Sequence, residues 1–440
     1  MNTYWCEHAW LPDGPAESVA ITVDGERIVS VERDAPKTGT VLDGMVTPGF
    51  ANVHSHAFHR ALRGRTHGDG GTFWTWRDRM YAVAERLDPE SYYRLARAVY
   101  AEMALAGYTS VGEFHYLHHG PRGARYDDPN AMSHALAAAA ADAGIRLTLL
   151  DTCYLTASVD GGALDAVQQR FSDGDADAWA SRLDAFKPEQ RLVRVGAAVH
   201  SVRAVPAEQI PTVAGWADGR EAPLHAHVSE QRAENDACLT VHGTTPTALL
   251  AKAGALGERF VGVHATHLTD KDIGLLGSVE AGACFCPTTE RDLGDGIGSG
   301  GDLAAAGVRL SLGSDSQAVI DPFEELRGLE MDERLAHESR GHFDPVELMA
   351  AATRHSAIGW DGLGELVPGA AADLVRIARD SVRTTGSEPL GVPLCATAAD
   401  VRDVMVAGRW LVRDGRHQSF DDHAAAPATE LATEIESLLA

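Results

Sequence analysis

The chain has 440 residues, more than one ordinary hydrophobic core organises, so two domains or a large barrel with additions is expected. Hydrophobic residues make up 45%, a normal globular share, and no apolar run is long enough to cross a bilayer. Lys and Arg number 38 against 63 Asp and Glu, a net charge of −25 that disfavours a nucleic-acid or anionic-membrane partner but leaves room for a small anionic substrate in a locally basic pocket. The start, MNTYWCEHAWLPDG, lacks a basic segment followed by an apolar core, so a cytoplasmic protein is expected. The cysteines (Cys6, Cys153, Cys238, Cys284, Cys286 and Cys395) form no C-x-x-C pair and read as reduced thiols.

Residues 1–46 alternate short β-like pieces with turns, and the Asp-Gly after AITV is a hairpin signal. From 47 to 362 apolar runs alternate with helical stretches. The strands read as MVTPGFANVHSH, YTSVGEFHY, IRLTLLDTCYL, LVRVGAAVHSV, PLHAHVSE, FVGVHATHL, GACFCPT and VRLSLGSDS. Eight strands with intervening helices predict an α/β fold, a distorted (β/α)8 TIM barrel. Residues 363–440 return to short strands and end in a helical stretch, HAAAPATELATEIESLLA. The two chain ends are expected to form one small, discontinuous β-sandwich domain, with 1–46 as its first part and 363–440 as its second.

In barrels of this kind the chemistry lies at the carboxyl ends of the strands. His54 and His56 are two apart on strand one, so both imidazoles face one point while Ser55 faces away. His227 ends strand five and Asp315 ends strand eight, which closure brings beside strand one. Three imidazoles and a carboxylate suit a first-row divalent metal, zinc above all, with iron, manganese and cobalt left open. Strand four has no lysine to bridge two ions, which argues for one metal per chain. Glu230, three residues past His227, and His264, ending strand six, are candidates for proton transfer, with Asp315 as a combined ligand and base. Arg77, Tyr116, His200 and Arg203 are candidate substrate anchors, because paired arginines grip carboxylates in a planar fashion. Each has a plainer reading: His227 as a core partner of His225, Glu230 as an exposed loop acid, and Arg77 and Arg203 as solvated or locally paired. Arg60, Arg63 and Arg65 read as a basic helix surface, and Cys284 and Cys286 as core thiols.

The HSH after PGF, the H-x-x-E of HVSE, the strand-six histidine, GSD and GELVPGAAADLV resemble the amidohydrolase superfamily. More narrowly, HSHAFHRAL, TFWTWRDRMY, EFHYLHH, HSVRAV, VHATHL and TTERDLGDGIG with GSDS resemble the formimidoylglutamate deiminases of histidine degradation, over nearly the whole chain. The resemblance implies one zinc on His54, His56, His227 and Asp315. It also implies proton handling by Glu230, His264 and Asp315, and glutamate carboxylates held by Arg77, Tyr116, His200 and Arg203. His59, Asp292 and Gln317 depart from the family pattern, where glutamine, asparagine and histidine are common, and they bear on the exact substrate. Rival readings are a deaminase of an amino-heterocycle such as guanine and a barrel kept only as a structural protein. A homodimer is the default assembly.

Overall fold

Continuous apolar runs form strands here because each is covered on both faces and has no solvent side to fill with polar residues. The computed structural model describes residues 1–68, 71–420 and 426–439. In it the runs become β1 (Phe50–Ser55), β2 (Tyr108–His115), β3 (Arg146–Cys153), β4 (Val193–Val199), β5 (Leu224–Val228), β6 (Phe260–His264), β7 (Gly282–Phe285) and β8 (Arg309–Leu312). Each pairs in parallel with its sequence neighbours. The seam between β8 and β1 closes just past β8: Asp315 N–H donates to His54 C=O at 3.0 Å, and His56 N–H donates to Asp315 C=O at 3.1 Å. Gly313 permits this approach, since a Cβ there would lie 2.8 Å from the His54 nitrogen. The fold is therefore an eight-stranded parallel barrel, as expected.

Two helices after β1 matter for the site. The first, α1 (Phe73–Arg86), carries Arg77 and Tyr81 four residues apart, so both lie on one face. The second, α2 (Pro89–Ala106), starts at an Asp88 cap with proline in its first turn and stops at Gly107, whose φ of 104° a side chain would oppose.

The chain ends share a second eight-stranded sheet. Asn2–Leu11, Gly14–Asp24, Arg27–Glu32 and Thr40–Pro48 join Leu374–Ile377, Val401–Val406, Arg409–Arg413 and Arg416–His417 through the pairing of Thr40–Pro48 with Leu374–Ile377. The run 45–56, read above as one strand, is thus two strands in different sheets. They part at Gly49, where a Cβ would collide with the Thr109 side chain. The terminal helix spans Ala426–Leu439 and packs on α2 through Glu430 with Arg97 and Glu434 with Arg94. Residues 423–425 and 440 of the predicted helix lie outside the described residues. Among the described residues no helix is long and apolar enough to cross a membrane. Cys284 and Cys286 pack with Val53, Val261 and Val263 in an apolar cluster.

Candidate metal centre and active site

The barrel seam assembles the donors. His54 Nε2 and His227 Nε2 face each other at 3.2 Å, and Asp315 Oδ1 lies 3.4 Å from Nε2 of both His54 and His56. These three separations match the edge of a tetrahedron with a centre-to-corner radius of about 2.0–2.1 Å, that of a zinc–nitrogen bond, and one nitrogen from each of His54, His56 and His227 lies within 4.8 Å of the other two. The tautomers agree with ligation. His56 Nδ1 lies 2.9 Å from Phe114 C=O and His227 Nδ1 lies 3.0 Å from His200 C=O. A carbonyl can only accept, so each Nδ1 carries the hydrogen and each Nε2 presents a lone pair to the common centre. Burial is the main force holding the imidazoles of His54, His56 and His227 neutral, and it pushes His56 down to about 3. The residues present therefore fit a divalent cation. His115, His118 and Asp151 also converge away from this centre, but Asp151 is already occupied by Arg182 and Trp179 Nε1.

His264 stands beside this set, with Nε2 3.9 Å from both Glu230 Oε1 and Asp315 Oδ2, and Nδ1 3.3 Å from Glu290 Oε1. Burial opposes its charged form, yet Glu230, Glu290 and Asp315 outweigh that and hold its pKa well above the usual imidazole value. The turn at Ser229, with a φ of 52°, follows β5 and precedes Glu230, which is buried and lines the cleft.

The cleft, about 670 Å3, is lined by Arg77, Tyr116, His200, Arg203, Glu230 and His264, and by His56, His227 and Asp315. All four predicted anchors thus meet the donor set. Arg77 Nε is buried without a hydrogen-bond partner among the described residues, and its guanidinium lies 4.6 Å from the Trp74 ring centroid. Arg203 is partly matched, 3.5 Å from Glu230 and 3.4 Å from Glu234. The plain reading of Arg203 as locally paired therefore holds in part. Glu234 is fully buried, which is the main force lifting it to about 7, against the opposing charge of Arg203.

Of the three departures from the family pattern, His59 lines the cleft and meets Tyr116 Oη at 3.0 Å. Asp292 instead pairs with His67 at 2.6 Å. Gln317 lies fully buried beneath the donors. Arg60 and Arg63 both pair with Glu102 of α2, so they tie the segment after β1 to that helix and do not form a free basic surface.

Sequence reasoning missed Glu290 behind His264 and Glu113 beneath the His54–His56 loop. Glu113 accepts from Ser55 Oγ at 2.8 Å and Ala57 N–H at 2.6 Å, and burial raises it to about 8. Its signal was present: Ser55 points out of the barrel and needs a partner there. It also missed Tyr81 and Tyr154, which line the cleft.

The chain matches the Amidohydrolase family over residues 45–411. It is 37% identical to the formimidoylglutamate deiminase of Pseudomonas aeruginosa, over 97% of this chain and 98% of that one. It is 30% identical to the 8-oxoguanine deaminase of the same organism, over 86% of this chain and 84% of that one. The crystal structure of an amidohydrolase from Brucella melitensis superposes with a TM-score of 0.89 at 32% identity, covering all of both chains.

Proposed function

The chain belongs to the amidohydrolase family, as a hydrolase of carbon–nitrogen bonds, and we propose that its substrate is N-formimidoyl-L-glutamate, converted to N-formyl-L-glutamate and ammonia. The reading includes one zinc per chain on His54, His56, His227 and Asp315. The observation that carries it is the pair Arg77 and Arg203 lining the same cleft as those donors, with the buried Arg77 Nε unpartnered. Among the described residues the Arg77 guanidinium has no ion-pair partner, and such a group favours an anion.

A divalent cation at this centre supplies Lewis acidity and lowers the pKa of water toward roughly 7. The chain does the rest. The His264 N–H holds the oxygen of the attacking water, and Asp315 Oδ2, 3.9 Å away, takes its proton. The water oxygen bonds to the formimidoyl carbon. Glu230 Oε1, also 3.9 Å from His264 Nε2, delivers a proton to the terminal nitrogen. With the formimidoyl group entering as its cation, the C=N pair returns to the terminal nitrogen on attack; the carbon–nitrogen bond then breaks, ammonia leaves, and the hydroxyl proton passes to the Glu230 carboxylate as the formyl carbonyl forms. The arginines hold the glutamate carboxylates through the step.

A second reading has its own support. Arg203 is already partly matched by two acids, and Trp76, Tyr116, Tyr154 and Phe171 give the cleft aromatic walls that suit a flat amino-heterocycle. An ammonia-release assay on the zinc-loaded chain with N-formimidoyl-L-glutamate, guanine and 8-oxoguanine separates the two. Release from the first alone is expected. No release from it sinks the deiminase reading, and an unchanged KM in Arg203→Met favours the heterocycle.

A further inference from the structure

Gln168 lies behind the cleft, 4% exposed, and joins two phenols that the reaction above does not use. Its Oε1 accepts the Asp165 backbone N–H at 3.0 Å, and since that N–H can only donate, the amide orientation is fixed. The amide nitrogen therefore donates to Tyr154 Oη at 3.0 Å and Tyr81 Oη at 3.2 Å. A phenol oxygen that accepts from Gln168 keeps its own hydrogen, and since Tyr81 and Tyr154 also interact with each other, the pair offers at least one of its two hydrogens to the cleft. Both tyrosines line the cleft with the two arginines, and Arg77 lies 5.5 Å from the Tyr81 ring centroid. Guanidinium and phenol hydrogens together make a wall that offers donors, the complement of a carboxylate. His200 stands between this wall and the metal donors, with ring centroids 4.6 Å from Tyr154 and 5.0 Å from His227. The phenol end of the wall thus lies beyond His200 from the metal donors, while Arg203 reaches back to Glu230 at 3.5 Å.

We propose that Tyr81 and Tyr154 complete, with Arg77 and Arg203, a subsite for the side-chain carboxylate of the substrate, and that Gln168 is the positioning residue that makes both phenols donors. This rests on the formimidoylglutamate reading.

The test uses the zinc-loaded full chain and the variants Tyr81→Phe, Tyr154→Phe and Gln168→Glu. N-formimidoylglycine lacks the carboxylate in question, so the ratio of kcat/KM for N-formimidoyl-L-glutamate over N-formimidoylglycine isolates it. Each Tyr→Phe lowers that ratio about tenfold or more, the loss of one hydrogen bond to a charged group, and acts through KM with kcat held. Glutarate affinity by calorimetry falls in step. Gln168→Glu keeps the shape but accepts the phenol hydrogens, so it lowers the ratio with both tyrosines in place. A ratio within twofold of wild type in both Tyr→Phe variants, or in Gln168→Glu, overturns the proposal. If the wild type hydrolyses neither substrate, the deiminase reading falls by itself. Glutarate affinity then decides the subsite: weakening in the variants supports it, and no change overturns it.

Discussion

Gln317 ties together the two strand ends that carry the proposed metal donors. Its Nε2 donates to Ser55 Oγ at 2.9 Å and to Asp315 C=O at 2.9 Å, and its Oε1 accepts from Ser314 Oγ at 2.7 Å. Gln317→Leu keeps a similar volume and removes all three bonds inside a site with no water-exposed surface at this residue. At about 1 kcal/mol for each neutral hydrogen bond, the loss is about 3 kcal/mol of stability. A different quantity reports on the site. Asp315 would keep only the His56 N–H on its backbone carbonyl, and its carboxylate would be less firmly aimed. Loss of such an outer partner costs about 10–100-fold in metal affinity. Competition against a chromophoric zinc chelator measures that affinity, and thermal unfolding of the same samples measures stability. A variant that melts early yet binds zinc within twofold of wild type refutes the argument that Gln317 positions Asp315.

Asp315→Asn removes an anionic donor and the proton acceptor together, and ammonia release under saturating zinc is expected to fall by about 10²–10⁴-fold, with lower metal content by elemental analysis. Arg182 binds Asp151 at 2.7 and 3.0 Å and Asp173 at 2.9 and 3.1 Å in the interior. Arg182→Leu leaves the buried Asp151 carboxylate with the Trp179 N–H but no guanidinium, while Asp173 keeps Arg125 and His119, and it should cost about 3–5 kcal/mol by urea denaturation; a cost under 1 kcal/mol contradicts this. His225, His355 and His417 are each pushed down to about 4 by burial, so the fold holds them neutral while the unfolded chain protonates them near pH 6.5. The unfolded state then binds more protons between about pH 6.5 and 4, so stability falls as pH drops through that window and levels off below it. His355→Gln should reduce the slope by close to one proton, read from urea unfolding at several pH values.

The barrel strands were legible because continuous apolar runs between helical stretches have few other uses. The donors were legible because the two-residue period puts His54 and His56 on one side, and strand closure explains how Asp315 reaches them. What escaped the sequence depends on distance along the chain. Gln317 meets Ser55 from 262 residues away, and Glu113 meets it from 58. Gln168 reaches Tyr81 across 87 residues, and no local spacing encodes that contact. The single strand read over 45–56 failed for a related reason: its apolar texture is continuous, but Gly49 lets the backbone leave one sheet and enter the other where Thr109 crowds it. That Arg203 pairs with Glu234 was not legible, because Glu234 lies on the helix that follows β5 and only the fold turns the two toward each other.

Strain explains why the seam needs so many hydrogen bonds. Ser229, His264, Ala265, Asp315 and Gln317 have φ values of 52°, 66°, 49°, 40° and 60°, left-handed backbone that side chains resist. Such residues cost about 1–3 kcal/mol each and persist only where the surroundings over-determine them. Around Asp315 and Gln317 those surroundings can be named. Asn52 donates to Ser314 Oγ at 2.6 Å and accepts its N–H at 2.9 Å, Ser314 donates to Gln317, Gln317 to Ser55, and Ser55 to Glu113. The same chain of bonds closes the barrel and presses the Asp315 carboxylate against His54 and His56, so fold and metal chemistry cannot be varied separately there. The substrate wall is built differently. Arg77 and Tyr81 ride on one face of α1, and Tyr154 and Gln168 lie beyond β3, none of them bonded to the seam. Substitutions in that wall leave the seam's hydrogen bonds intact. On the proposed reading, exchange of a formimidoyl amino acid for a flat heterocycle is therefore expected to change Arg77, Tyr81, Tyr154 and Arg203 while His54, His56 and His227 stay.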